Sequence, residues 1–346
     1  MAQRVQYWSL ARHSLFLIGC LITAQLPFAH AQENKVKAPE WKHGMDLKAR
    51  KAGEKDFDAK TQKYGVEVFV DANTNKLAYI SESGNLAVLA GAATGGDNSK
   101  EPILRHALEL RVRTAAETDF SDKTKRFGIE VYHDPNAGNL IYITETGSIA
   151  VVPGGAEPSA KDAKKDPEWR HALVLPVRKA GEAEFTDKTQ RFGLEMFVDT
   201  NNGNVIYITE SGSIAVLPGA GLPERPMKVK APEWKHAMEL KVRNSGDADF
   251  NEKTPKIGIE VYYDSNAGKS VVITQTGAIS VLNGNVTDGK NKNPEWKHGL
   301  EMAARKAGMK DFDKAPKFGL EIYTDEITNA MIYIVQTGAV SAVPVK

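Results

Sequence analysis

The chain has 346 residues, 41% hydrophobic and 26% charged, a globular balance that excludes a disordered protein and a polytopic membrane protein. Its formal net charge is +1 with both signs interspersed, so it lacks the concentrated basic face that phosphate backbones require, and nucleic acid is not an expected partner. Cys20 is the only cysteine, which excludes intramolecular disulfides and cysteine-ligated metal centres.

Residues 1–31 read as a signal peptide. Arg4 and Arg12 supply a positive start, residues 15–28 are mostly apolar, and Ala29-His30-Ala31 fits small-x-small cleavage before Gln32. The apolar run is shorter than the roughly 20 residues a helical span needs, so no transmembrane span is expected after signal removal. The expectation is export, to the periplasm, the cell surface or the medium. Loss of Arg4 and Arg12 takes the formal charge from +1 to −1. Leu17-Ile18-Gly19-Cys20 resembles a lipobox and offers a second reading, in which an acylated Cys20 anchors the protein.

Beyond the signal the chain is five versions of one unit. Copies open at Pro39, Pro102, Pro167, Pro232 and Pro294, at successive offsets of 63, 65, 65 and 62 residues. The expected repeats are 38–90, 102–153, 167–218, 232–283 and 294–346. Between them lie spacers 91–101, 154–166, 219–231 and 284–293, rich in Gly, Pro, Lys, Asp and Asn, the composition of solvated linkers.

Within the second copy, Leu108, Leu110 and Val112 alternate with Glu109, Arg111 and Arg113, the period of a half-buried strand. A polar connector over residues 114–126 follows, with Ser121 or Asp122 placed to cap a helical turn and Gly128 to end it. Residues 129–133 form a second strand, and Asp134-Pro135-Asn136-Ala137-Gly138-Asn139 carries Asx and glycine turn chemistry. Residues 140–144 form a third strand rich in β-branched and aromatic residues, and after Thr146-Gly147-Ser148 residues 149–152 form a fourth. The predicted fold is therefore all-β: five tandem four-stranded antiparallel meanders. Long, polar spacers of unequal length favour independent beads on a string. The alternative is one five-bladed β-propeller, favoured by the strand rhythm and by the small core a lone 52-residue unit can bury.

Certain residues recur in every copy. A histidine (His43, His106, His171, His236, His298) follows a tryptophan by two positions in four copies (Trp41, Trp169, Trp234, Trp296), with Leu104 in the other. With the cation between them, these pairs are candidate stacking sites for a glycan, a wall polymer or a protein, or else the lid of a small core. Arg50, Arg113, Arg178, Arg243 and Arg305 recur, as do Glu67, Glu130, Glu195, Glu260 and Glu321, and are read as cross-strand ion pairs within a copy. Phe57, Phe120, Phe185, Phe250 and Phe312 are read as core plugs.

Calcium is the sharper alternative for the central loop. Asp71, Asn73 and Asn75 with Glu82, Asp134 and Asn136 with Glu145, and Asp199 and Asn201 with Glu210 echo an EF-hand spacing of oxygen ligands. The loop lacks the glycine at position 6 and flanking helices, and Gln275 and Gln336 replace the last ligand in two copies. A plain Asx hairpin accounts for the same letters, so no metal or other cofactor is expected. No recurrent nucleophile or oxyanion cradle accompanies the His and Glu residues, and an enzyme is not expected. The expected function is a multivalent binding or interaction module, with a purely structural envelope or spacer role as the alternative.

Overall fold

Alternation in the sequence becomes alternation in burial. In the second repeat, Leu108, Leu110 and Val112 are buried on one face of the strand Ile103–Val112, while Glu109 between them is exposed. The structure is a computed structural model that describes residues 36–91, 100–154, 165–219, 226–286 and 293–345. The expected signal peptide and Cys20 lie outside the described residues. Among the described residues no helix is long and apolar enough to cross a membrane.

Each repeat forms a four-stranded antiparallel sheet with its strands in chain order. The first repeat comprises Glu40–Ala49, Gln62–Asp71, Lys76–Ser81 and Leu86–Ala90. The connector after each first strand contains turns and no helix: Ser121 N donates to Thr124 Oγ1 at 2.9 Å, closing a turn where a helix cap was expected. The hairpins between second and third strands are Asx turns, in which Asp71, Asp134, Asp199 and Asp264 accept from the backbone of Asn73, Asn136, Asn201 and Asn266. At the tighter turn into the fourth strand, Gly84, Gly147, Gly212, Gly277 and Gly338 all take positive φ, between 77° and 90°.

The five fourth strands, Leu86–Ala90, Ile149–Pro153, Ile214–Leu217, Ile279–Asn283 and Val340–Pro344, touch in cyclic order, with the fifth meeting the first. Of the two arrangements the sequence left open, the molecule takes the closed one. It is a five-bladed β-propeller whose fourth strands surround the axis. The reason is visible in the core. There are five hydrophobic clusters, and each is built from two adjacent blades. One face of blade 1, with Leu47, Val68 and Tyr79, packs on Tyr132, Ile141 and Ile143 of blade 2. Its other face, with Phe69, Ile80 and Val88, packs on Leu320, Ile322 and Val335 of blade 5. Second and third strands are accordingly buried on both faces, and only the outer strand keeps a polar side.

The chain enters every blade at the rim and leaves it at the axis. After Ala90 it must return from the axis to the rim before Ile103, across about 14 Å at three strand spacings. The ring is also closed without strand exchange, because every sheet is built from four consecutive strands of one repeat. Blades 5 and 1 are held by apolar packing and by side chains that bond side-chain and backbone groups of the other blade, with no shared strand.

Blades approach closely at one further recurrent residue. A side-chain carbon at Gly65, Gly128, Gly193, Gly258 or Gly319 would run into the backbone carbonyl of Arg305, Arg50, Arg113, Arg178 or Arg243 of the preceding blade. Only glycine admits that contact.

Candidate functional site

The outer strand of every blade carries a bulge at the residue between Trp (or Leu104) and His. Trp41 pairs with Phe69 and His43 with Val68, leaving Lys42 extra, and the same shift recurs in the other four blades. Without the bulge, residues two apart would share a face; with it, they point to opposite faces. The expected Trp–His patch is therefore not assembled. Each histidine turns to the following blade and each tryptophan to the preceding one.

The histidines are buried in the blade junctions. His43, His106 and His171 lie 2.8–2.9 Å from Asp134, Asp199 and Asp264 of the next blade, and His298 closes the ring at 3.1 Å from Asp71. The tyrosines of the third strands, Tyr79, Tyr142, Tyr207 and Tyr333, donate to the same four carboxylates. They are fully buried, deeper than a half-buried strand position. Burial pushes the hydroxyls of Tyr79, Tyr142 and Tyr207 well above their ordinary range, so they remain donors. The junction of blades 4 and 5 differs. Val272 replaces the tyrosine and Ala330 the asparagine that bonds it at the 1–2 and 2–3 junctions, so a polar pair has given way to an apolar one. There His236 lies 3.2 Å from Asp325, and burial pushes its ring below the ordinary histidine range against the pull of Asp325.

Burial alone would raise the carboxyls of Asp134, Asp199 and Asp264, but hydrogen bonds and charge from His43, His106 and His171 outweigh it and hold all three low. A depressed carboxyl stabilises the fold above its unfolded value, about 3.9, and that contribution is lost as pH falls through the folded value. His236, also depressed, must stay uncharged in the fold and works against stability once pH drops below about 6.5. The expected melting temperature thus declines gently below about pH 6.5 and steeply below about pH 4. A thermal scan from pH 8 to pH 2 checks this. A midpoint flat to the acid end of that scan would show that the junction carboxylates do not hold the blades.

The arginines clamp blade to blade rather than strand to strand. Arg50 grips Glu130 of the next blade through Nε at 2.6 Å and Nη2 at 3.0 Å, and Arg113, Arg178, Arg243 and Arg305 grip Glu195, Glu260, Glu321 and Glu67 in the same bidentate way. The expected pairing within a copy is corrected here: the partner lies on the neighbouring sheet, which stands closer to the arginine's end of the strand. Trp41, Trp169, Trp234 and Trp296 donate Nε1 to these glutamates at 2.7 Å.

The recurrent phenylalanines do not plug the core. Phe120, Phe185, Phe250 and Phe312 stand edge-on to the tryptophan of the next blade, with centroids 5.6–6.3 Å apart, and each lies against the clamp arginine. At the blade 1–2 junction Phe57 stacks on Arg50, and Leu104 takes the tryptophan's place. Trp41, Trp234 and Trp296 stay 41–44% exposed. Beside the clamps run inter-blade grooves, about 350 Å³ at the blade 1–2 junction and about 180 Å³ at the 2–3 and 4–5 junctions.

The calcium-like sets are drawn apart. Asp71 pairs with Lys76 at one end of the second hairpin, whereas Ser81 beside Glu82 pairs with Val66 at the other, five residues and about 17 Å away along the strand. Glu82 brackets two backbone N–H groups, Gly65 of its own blade and Ala307 of blade 5. Glu145 and Glu210 do the same for Gly128 with Ala52 and for Gly193 with Ala115. Gln275 and Gln336 do it equally well through their amide oxygens, because a bracket of backbone donors needs an acceptor and not a charge. Asn73 is paired on both sides of its amide with the backbone of Lys37, and Asn136 and Asn201 repeat this with Lys100 and Lys165, which ties the incoming chain to the hairpin. Among the described residues no group of three His, Cys, Asp or Glu side chains is arranged to hold a metal ion.

The fold and these junctions define a five-bladed propeller whose recurrent charged side chains join its blades. No protein-family model matches the chain, and no curated protein matches it. Among solved structures, virginiamycin B lyase from Staphylococcus aureus is similar over 88% of this chain and 89% of that one, at 11% identity and a TM-score of 0.12. A catalytically inactive variant of that lyase with quinupristin gives 11% identity over the same shares and a TM-score of 0.13. At those scores neither likeness bears on what this chain does.

Proposed function

We propose that the protein is an exported, non-enzymatic binding module that holds a glycan or wall polymer through repeated tryptophan sites at its rim. The carrying observation is the state of the indoles. Trp41, Trp234 and Trp296 each present an open face while their edge is bonded to a buried glutamate and braced by a phenylalanine and an arginine. A flat apolar face fixed in advance suits the face of a sugar ring and loses little freedom on binding. The recurrent His, Asp, Glu and Arg side chains are engaged across the junctions, which supports a role other than catalysis. Sites repeated around one rigid ring add through effective concentration, so each need only be weak.

The test replaces Trp41, Trp234 and Trp296 with leucine, the residue blade 2 carries at Leu104, singly and together. Binding to purified cell-wall polysaccharide and peptidoglycan is then measured by sedimentation. One replacement is expected to weaken retention several-fold, and all three by about 100-fold or more. Unchanged retention, or no retention by the parent protein, would leave the alternative of a structural envelope component. That alternative rests on the same clamps, since they account for the recurrent charges without any ligand.

A further inference from the structure

The axis of the ring carries a second kind of site, independent of the rim. Where third strands turn into fourth strands, the five turns enclose a cavity of about 280 Å³. Hydroxyls from all five blades line it: Ser83, Thr146, Ser211, Thr276 and Thr337. Two residues further on the fivefold repeat breaks. Blades 1 to 3 place Asn85, Ser148 and Ser213 on one arc of the wall, and blades 4 and 5 place the methyls of Ala278 and Ala339 on the other. Among the described residues no ionisable side chain lines the cavity.

These groups are held in place. The turn hydroxyls are anchored at their bases, Thr144 to Thr146, Thr209 to Ser211 and Thr274 to Thr276, each at 2.8 Å. Thr337 Oγ1 donates to the Gly84 carbonyl at 3.0 Å, and Asn85 Nδ2 to the Gly147 carbonyl at 3.2 Å, which links neighbouring turns around the mouth. Ser148 and Ser213 accept from the backbone of Ile214 and Ile279, which leaves each hydroxyl proton to donate elsewhere. A hydroxyl both donates and accepts, and an amide offers one edge of each kind.

We propose that this cavity binds one uncharged, polyhydroxylated ring per chain, of the monosaccharide class, with its hydroxyl edge toward Asn85, Ser148 and Ser213 and its apolar face toward Ala278 and Ala339. The neutral hydroxyl lining matches sugar hydroxyls in both donor and acceptor roles. The methyl arc matches the C–H face that such rings also carry. Because the lining is unequal around the ring, one orientation is favoured and one molecule fills the site. The same chemistry is offered by a free sugar and by the terminal unit of a glycan chain.

The experiment is calorimetric titration of the mature protein with glucose, galactose and N-acetylglucosamine, with glucose 6-phosphate as a charged control. A matching oligosaccharide separates chain ends from free sugars. Saturation at one molecule per chain is expected, with a dissociation constant on the order of 1 mM. The phosphate should bind at least tenfold more weakly. Ser211→Ala combined with Thr276→Val should cost about tenfold and Ala278→Leu should abolish binding. Tighter binding of the oligosaccharide that keeps the one-to-one ratio would assign the site to a chain end. Absence of saturation for every sugar, a ratio above one that falls with Trp234→Leu, or indifference to the cavity variants would overturn the proposal. Soaking crystals of the unaltered protein in the same sugar decides the matter without variants: density at the mouth supports it, and density at the rim alone or nowhere overturns it.

Discussion

Excised from the ring, a single repeat such as residues 164–221 is expected to show no cooperative thermal transition, whereas the whole ring melts in one. In place, blade 3 sets Leu173, Leu175, Leu194 and Val205 against blade 4, and Phe197, Ile206, Ile208 and Val216 against blade 2. Alone it keeps its strands but loses the covering of both faces. Full burial of such a side chain contributes roughly 1.5–3 kcal/mol, so losing about half of that at eight positions removes about 6–12 kcal/mol. A domain's whole stability is about 5–15 kcal/mol. Circular dichroism against temperature, on the fragment and on the ring, makes the comparison. A sharp transition in the fragment would require a core inside one blade, and the five clusters contain none.

The second large effect concerns the seam between blades 5 and 1. Arg305→Met is expected to lower stability by about 3–5 kcal/mol, or about 5–8 °C in melting temperature for a domain of this size. The carboxylate of Glu67 is only 2% exposed, and without Arg305 it keeps one side-chain donor, Trp41 Nε1, and no compensating charge. Pairing Arg305→Met with Glu67→Met should restore most of the loss, because the desolvation cost disappears with the charge. The same substitution at Arg178, whose partner Glu260 also keeps a tryptophan donor, Trp234 Nε1, tests whether the seam is special: junctions built alike should lose alike. A loss under 1 kcal/mol at both would mean that the clamps are ornaments of a ring held by its apolar clusters alone.

The strands, their order and the turns were legible because their signals are local. Leu108, Leu110 and Val112 alternate within one strand, and the Asx and glycine turns close over a few residues. What joins the blades was not legible, since each partner lies far along the chain. Arg50 finds Glu130 80 residues away and His43 finds Asp134 91 residues away. In a repeated sequence such a pairing is indistinguishable from one within the copy, so Arg50 was assigned to its own repeat. The Trp–His patch failed for a different reason. It assumed an unbroken strand, and nothing about Lys42, Arg105, Arg170, Lys235 or Lys297 announces a bulge. One signal was available: Gly65, Gly128, Gly193, Gly258 and Gly319 recur at one position of the second strand, and a glycine inside a strand marks the close approach of another backbone.

Every junction joins two different surfaces of the same unit, with His and Arg, and at four of the five Tyr, on the leading side and Asp and Glu on the trailing side. In the language of assemblies this is a heterologous contact, and the ring is arranged like a cyclic pentamer whose similar subunits are covalently joined. Such a contact has no intrinsic stopping number; closure at five comes from the rotation that the packed faces impose. A chain with one unit fewer would retain an unsatisfied leading face at one end and an unsatisfied trailing face at the other. Those faces are complementary, so two such chains would meet each other in preference to water, and the bond that closes this ring would instead begin a polymer.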